Sequence, residues 1–179
     1  MWLANALTIA RIPLAAVFWL TYGDVKWSIG VVAAAAVSDA LDGRIARRAR
    51  ARIGPRASHA GEWLDPIADK IFVFAVLAAI VAHGAATWQL AVLVAARELV
   101  IVPLGIVYRL ALVARPPVEH AFQADALGKA TTVAQMFAVA AIIAGSPAAV
   151  PLAALAAVLG LAASAHYVVR ATHAAGAMS

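Results

Sequence analysis

The residues of this chain with the clearest chemical potential are four aspartates in two closely spaced pairs. Asp39 and Asp42 are three positions apart, and Asp65 and Asp69 are four positions apart. In an α-helix, residues three or four positions apart lie on the same face. The spacing therefore predicts that each pair presents both carboxylates in one direction, so that two consecutive helices can direct all four into one cavity.

Such a cluster predicts a metal site. Four carboxylates within a few ångströms raise each other's pKa and cannot all remain ionised without a compensating cation. Hard divalent cations take oxygen ligands, and Mg²⁺ is usually bound by carboxylates together with substrate phosphates. Two such ions suit an in-line displacement at phosphorus. The alternative is that the aspartates form ion pairs with the arginines that follow the first pair in the sequence.

The helices that position these carboxylates are expected to lie in a membrane. Of the 179 residues, 65% are hydrophobic and 13% are charged, against about 45–50% and about 25% in soluble domains. A helix needs about 20 residues to cross a hydrocarbon core of about 30 Å. Six apolar segments lie at about residues 5–22, 27–48, 64–83, 87–113, 127–145 and 148–170. The sequence thus predicts an all-α polytopic membrane protein with six transmembrane helices, in which residues 1–179 form a single domain.

Basic residues are concentrated in alternate connections, and this asymmetry predicts the orientation. Cytoplasmic segments near the ends of spans are enriched in lysine and arginine. With the N-terminus inside, the cytoplasmic segments hold Arg44, Arg47, Arg48, Arg50, Arg52, Arg56, Arg115 and Arg170. The outer loops hold only Lys26. Both termini and both aspartate pairs are therefore predicted at the cytoplasmic face, and the net charge of +5 needs no nucleic-acid partner to explain it.

Two further features of the sequence limit the kinds of site that the chain can form and bear on the fate of its first residues. The chain contains no cysteine, which excludes disulfides, thiolate metal ligands and cysteine nucleophiles. Residues 1–20 lack a basic start and carry Arg11 within the apolar stretch. They do not resemble a cleaved signal peptide, and we expect them to remain in the mature protein.

The residues around the aspartates follow the pattern Asp39-x-x-Asp42-Gly43-x-x-Ala46-Arg47, continued by Gly61-x-x-x-Asp65-x-x-x-Asp69. This pattern resembles the signature of the CDP-alcohol phosphotransferase family, with every signature residue present. Residues 48–60 make the connection longer than is usual in that family, and we expect them to bulge into the cytoplasm. The resemblance implies that a phosphatidyl group passes from CDP-diacylglycerol to an alcohol hydroxyl, with release of CMP.

The resemblance also implies roles for individual residues. The ligands of Mg²⁺ or Mn²⁺, with two ions expected, would be Asp39, Asp42, Asp65 and Asp69. Asp69 would in addition be the catalytic base that accepts the proton of the acceptor hydroxyl. The CDP-binding residues would be Asn5, Thr8, Asp42, Gly43, Ala46, Arg47 and Gly61. For the first helix an alternative stays open, in which Asn5 and Thr8 cap the helix start and Arg11 reaches a lipid phosphate.

A charged pair in the fourth apolar segment indicates which residues bind the acceptor alcohol. A charge such as Arg97 costs about 2.5–3.5 kcal/mol near the centre of a membrane helix, and an anionic acceptor such as a phosphorylated polyol would account for it. An internal pair of Arg97 with Glu98 or with an aspartate is the alternative. The candidate ligands of the acceptor phosphate are Arg11, Arg97, Arg115 and Lys129.

The Arg97-Glu98 pair and the run from Gly128-Lys129 to Gln135 resemble bacterial phosphatidylglycerophosphate synthases, which use glycerol 3-phosphate, although Ala130 stands where a lysine is expected. Inositol phosphate or phosphatidylglycerol as acceptor stays open. A divalent-metal transporter is the alternative from another class, but transport sites usually lie near the bilayer midplane. The resemblance further implies a homodimer in the bacterial inner membrane, with its active site facing the cytoplasm.

Overall fold

The computed structural model describes residues 13–53, 61–111 and 126–176, and the regular structure in these ranges is entirely α-helical. Among these residues, the first helical stretch, α1, comprises residues 13–21. The others are α2 (Val25–Ile53), α3 (Gly61–Ala82), α4 (Trp88–Val94), α5 (Ala96–Ala111), α6 (Ala126–Ile143) and α7 (Ala149–Gly176). The chain divides into two compact units, Met1–Ala86 and Thr87–Ser179. The prediction of an all-helical chain is confirmed for the described residues.

In the first unit, α2 is longer than the predicted apolar segment. The helix begins after Asp24, whose Oδ1 accepts hydrogen bonds from the backbone N–H of Lys26 at 2.9 Å and of Trp27 at 3.2 Å, as an N-cap does. It then continues to Ile53, so residues 48–53, predicted as part of a loop, are helical. Arginine and alanine dominate this stretch, and both have high helix propensity, which explains the extension.

The end of α3 lies beside the end of α1. Gly84 has a φ of +73°, and the N–H groups of Gly84 and Ala85 donate to the carbonyls of Val81 and Ile80, which is the Schellman pattern of a helix C-terminus. The preceding His83 packs its ring against Tyr22 with centroids 4.4 Å apart. This aromatic contact ties the turn after α1 to the turn after α3.

The second unit is built around α7, which packs against α4, α5 and α6. The interior is formed largely by alanines, and Ala138, Ala153 and Ala156 are at most 1% exposed. Without a hydrophobic driving force between helices in lipid, small residues favour association because they let helix backbones approach closely. The alanine-rich composition therefore produces close helix contacts in this unit.

The prediction of one continuous helix over residues 87–113 is wrong. The chain breaks at Ala95, and α4 and the following residues Ala96–Ile106 are bent by 61°. No proline or glycine lies at the break, although Pro103 lies inside α5. A sharp bend also arises where a side chain takes over backbone hydrogen bonds, and a buried side chain from α6 does so here, as described below.

Two helices of the described residues are long and apolar enough to cross a membrane, Ala126–Ile143 and Ala149–Val169. The bent pair of α4 and α5 makes a third if it is counted as one broken span. Large apolar side chains also cover the outside of these helices, among them Phe137 at 61% and Val158 at 65% exposure, as expected for a surface that faces lipid. The length, composition and exposed apolar surface of these helices are those of an integral membrane protein, whereas six spans and cytoplasmic termini remain predictions.

Candidate functional site

The four signature aspartates lie on two consecutive helices. Asp39 and Asp42 belong to α2, and Asp65 and Asp69 belong to α3. Because both segments are helical, the spacing of three and four residues places each pair on one helix face. The side chains of all four lie outside the part of the structure that is described, so the shared cavity is still a prediction.

The predicted nucleotide-binding residues fall around the same helices. Gly43, Ala46 and Arg47 lie in α2, after the first aspartate pair. Gly61 is the first residue of α3. Asn5 and Thr8 lie outside the described residues, as do two predicted acceptor ligands, Arg11 and Arg115. Of the predicted acceptor ligands, the structure thus describes Arg97 in α5 and Lys129 in α6.

Arg97 lies in the first turn of α5 within a polar cluster. Its Nε donates to Glu98 Oε1 at 3.0 Å, and its Nη2 lies 2.9 Å from the same oxygen. Its Nη1 donates to the carbonyl of Gly128 at 3.1 Å and to Thr132 Oγ1 at 3.0 Å. The internal pair with Glu98, one of the two alternatives from the sequence, is therefore present. A guanidinium has five N–H groups, so among the described residues one Nη2 hydrogen has no partner.

Glu98 is almost completely enclosed, with 3% of the residue exposed. A buried carboxylate is costly unless it is paired and hydrogen-bonded, and both of its oxygens have partners here. Oε1 faces the Arg97 guanidinium, while Oε2 accepts a hydrogen bond from Gln135 Nε2 at 2.6 Å. The pair is electrically neutral as a unit, which makes its burial between helices tolerable.

The polar groups of α6 line one face of that helix. Gly128, Thr132 and Gln135 are four and three residues apart, so they point in the same direction. The nearby Thr131 is fully buried and donates to the carbonyl of Leu127 at 2.9 Å. Lys129 follows Gly128 in the chain and is exposed. Arg97 in the first turn of α5 is thus hydrogen-bonded to the α6 turn in which the exposed Lys129 lies.

Gly160 of α7 makes room for Arg97. A Cβ atom at position 160 would lie 2.8 Å from Arg97 Cβ, 3.4 Å from Arg97 Cα and 3.3 Å from Thr131 Cγ2. Carbon atoms at optimal contact are about 3.5–4.0 Å apart. The backbones of α5 and α7 therefore approach each other more closely at this point than any residue other than glycine would permit.

Sequence reasoning identified Arg97 and Lys129 but assigned no role to Gln135, Thr132 or Gly160. The spacing of Gly128, Thr132 and Gln135 is a signal that could have identified the polar face of α6. Gly160 gives no such signal, because it lies in an apolar run and its importance depends on what faces it. Among the described side chains, no group of three or more His, Asp or Glu comes together, and the predicted metal ligands lie outside that set.

Comparison with known proteins identifies a family whose model matches this chain. A family model described as CDP-alcohol phosphatidyltransferase matches residues 1–168. A protein of Mycobacterium tuberculosis (strain H37Rv), named "Probable phosphatidylglycerophosphate synthase", is 34% identical over 123 residues, which are 63% of this chain and 54% of that protein. A protein of Streptomyces coelicolor, named "Cardiolipin synthase (CMP-forming)", is 32% identical over 143 residues, which are 75% of this chain and 61% of that protein. The chain thus spans less than two thirds of the length of these curated relatives.

Proposed function

The chain belongs to the CDP-alcohol phosphatidyltransferase family, and we propose that it transfers the phosphatidyl group of CDP-diacylglycerol to an alcohol hydroxyl with release of CMP. The observation that carries the proposal is the complete aspartate signature, from Asp39 to Asp69, within a family match over residues 1–168. The helical backbone of α2 and α3 supports it, because the spacing within each pair requires a helix to bring two carboxylates to one face.

The donor set fits divalent metal ions. Carboxylate oxygens are the ligands that Mg²⁺ and Mn²⁺ prefer, and we propose that Asp39, Asp42, Asp65 and Asp69 hold two such ions. Bound there, the ions would neutralise the negative charge of the diphosphate and of the departing CMP, which is the main contribution to catalysis in reactions of this type.

The proposed reaction needs one base and a nucleotide pocket. Asp69 accepts the proton of the acceptor hydroxyl, and that oxygen forms a bond to the phosphorus that carries diacylglycerol. The bond from this phosphorus to the oxygen that bridges to CMP breaks, and CMP departs with that oxygen. Gly43 and Ala46 lack bulky side chains, so the nucleotide could approach α2, and Arg47 is the proposed ligand of its phosphates. Asn5, Thr8 and Gly61 complete the proposed CDP pocket.

For the acceptor we propose glycerol 3-phosphate. Support comes from Arg97, which keeps one Nη2 hydrogen without a partner among the described residues, and from the exposed Lys129. Both are cationic, and Gly128, whose carbonyl accepts from Arg97, precedes Lys129 in the chain. Arg11 and Arg115 are further proposed ligands of the acceptor phosphate. Phosphatidylglycerol is a second candidate, because the Streptomyces relative is named a cardiolipin synthase.

The location of the reaction follows from the distribution of basic residues. The arginines between positions 44 and 56 favour a cytoplasmic position for the adjacent ends of α2 and α3. We propose that the protein works in the bacterial inner membrane with its active site on the cytoplasmic side, where soluble acceptors such as glycerol 3-phosphate are found. A homodimer is the proposed assembly.

The test is an acceptor panel with purified protein in lipid nanodiscs. CDP-diacylglycerol and Mg²⁺ are supplied with glycerol 3-phosphate, phosphatidylglycerol or inositol phosphate, and CMP and the lipid product are measured by mass spectrometry. We expect glycerol 3-phosphate to give phosphatidylglycerophosphate. Product with another acceptor only would overturn the acceptor assignment, and no CMP release with any acceptor would overturn the proposed activity.

The role of Asp69 is tested by Asp69→Asn, which keeps the shape of the side chain but removes its basicity. We expect CMP release to be abolished while the protein still inserts and purifies as the wild type does. The matched control is Asp24→Asn, because Asp24 lies outside the signature and asparagine can also serve as an N-cap. Full activity of Asp69→Asn would remove this residue from its proposed role.

A further inference from the structure

The break between α4 and α5 is held by a side chain of a different helix. Val94 is the last residue of α4, and the final carbonyls of a helix lack an intrahelical donor. The Val94 carbonyl instead accepts a hydrogen bond from Gln135 Nε2 at 2.8 Å. Gln135 lies in α6 and is 9% exposed, so this contact replaces a backbone hydrogen bond in the interior of the unit.

The same nitrogen also binds the first turn of α5. Gln135 Nε2 donates to Glu98 Oε2 at 2.6 Å. An amide nitrogen carries two hydrogens, and the two acceptors, Val94 O and Glu98 Oε2, account for both. One side chain therefore connects the end of α4 with the start of α5 and satisfies two buried acceptors that water cannot easily reach.

Glu98 connects Gln135 with Arg97. Its Oε1 accepts a hydrogen bond from Arg97 Nε and forms an ion pair with Nη2. On the other side, Nη1 donates hydrogen bonds to Thr132 Oγ1 and to the Gly128 carbonyl. The guanidinium is thus fixed between a carboxylate that Gln135 holds and two groups on the same face of α6. Its remaining Nη2 hydrogen has one defined direction for as long as these contacts persist.

We propose that Gln135 is a positioning residue: it stabilises the bent geometry of α4 and α5 and, through Glu98, orients the Arg97 guanidinium toward the negative charge of the acceptor. This inference rests on the proposed function, in which Arg97 binds the acceptor. Gln135 itself does not contact the reacting atoms, and its effect is expected on acceptor binding rather than on the nucleotide.

The kinetic test uses Gln135→Met, because methionine is also unbranched and of similar length but has no N–H donor. We expect the KM for glycerol 3-phosphate to rise about tenfold, the size that corresponds to loss of one hydrogen bond to a charged group. The KM for CDP-diacylglycerol should change less than about twofold. The matched control is Gln89→Met, since Gln89 is an exposed glutamine of α4. An equal change in both KM values, or no difference from the control, would overturn the proposal.

A structural test needs no turnover. The chain has no native cysteine, so spin labels can be attached to Trp88→Cys in α4 and Ile106→Cys in α5, both at exposed positions. A straight helix of this length would separate the two positions by about 27 Å, and the bend shortens this distance by a few ångströms. We expect one narrow distance distribution with native Gln135 and a broader, longer one in Gln135→Met.

The two measurements separate the possible failures. If native protein releases no CMP with any acceptor, the proposed function fails, and the label distances still decide whether Gln135 holds the break. If the label distances in Gln135→Met match those with native Gln135, the proposal fails even in an active enzyme. Should Gln135→Met not insert, Gln135→Asn keeps the amide on a shorter side chain, and we expect the same changes at smaller size.

Discussion

Replacing Gly160 by alanine tests the close approach of α7 to the first turn of α5. The new methyl carbon would lie 2.8 Å from Arg97 Cβ, whereas carbon atoms in favourable contact are about 3.5–4.0 Å apart. Arg97 Cβ is fixed to the backbone, so rotation of the side chain cannot relieve the overlap. The two helices must therefore separate by about 0.7 Å or more.

The expected cost follows from two opposing effects. Overpacking a well-packed interior costs about 1–3 kcal/mol, while alanine regains about 1 kcal/mol of helix propensity relative to glycine. We expect the free energy of unfolding to fall by about 1 kcal/mol, which corresponds to a fall in Tm of about 2–4 °C for a chain of this size. The same displacement would stretch the hydrogen bonds from Arg97 Nη1 to Gly128 O and Thr132 Oγ1, now 3.1 and 3.0 Å.

The assay is thermal unfolding of the purified protein in detergent, followed by the KM for glycerol 3-phosphate. Gly105→Ala is the matched control, because Gly105 is likewise a glycine within a helix, in α5, and a Cβ there would meet nothing within 4 Å. We expect Gly105→Ala to unfold at the wild-type temperature or slightly above it. If Gly160→Ala and Gly105→Ala have the same Tm and the same KM, the inferred contact between α5 and α7 is wrong.

Two further predictions concern the metal ions and a helix end. Removal of divalent cations with EDTA should abolish CMP release, and Mg²⁺ or Mn²⁺ should restore it; activity that survives exhaustive chelation would contradict the proposed role of the aspartates. Gly145→Ala should lower the stability by about 1 kcal/mol, because Gly145 ends α6 with a φ of +62°, and thermal unfolding measures this loss. Gly30→Ala, at a position where a Cβ would also meet nothing within 4 Å, should not have this effect, and equal losses in the two variants would refute the strain at Gly145.

The helical character and the family were both predictable from the chain alone. Apolar segments of membrane-spanning length indicate helices, because an isolated span must satisfy its own backbone hydrogen bonds in lipid. The signature that begins at Asp39 and ends at Asp69 lies within residues that are close in sequence, and the family match confirms the interpretation. Arg97 is predicted as a ligand of the acceptor phosphate from local sequence as well, since a charge in an apolar segment is costly and requires a partner.

The bend at Ala95, the two hydrogen bonds of Gln135 and the close contact at Gly160 could not be predicted in this way. Pro103 is the residue that local rules would select as the site of a kink, yet the break lies at Ala95, where Gln135 accommodates the freed Val94 carbonyl. Each of these features depends on residues that are far apart in the sequence and meet only when α4, α5, α6 and α7 pack together. Local patterns report which segments are helical and where charge is costly, but which polar group faces which carbonyl depends on the packing of whole helices.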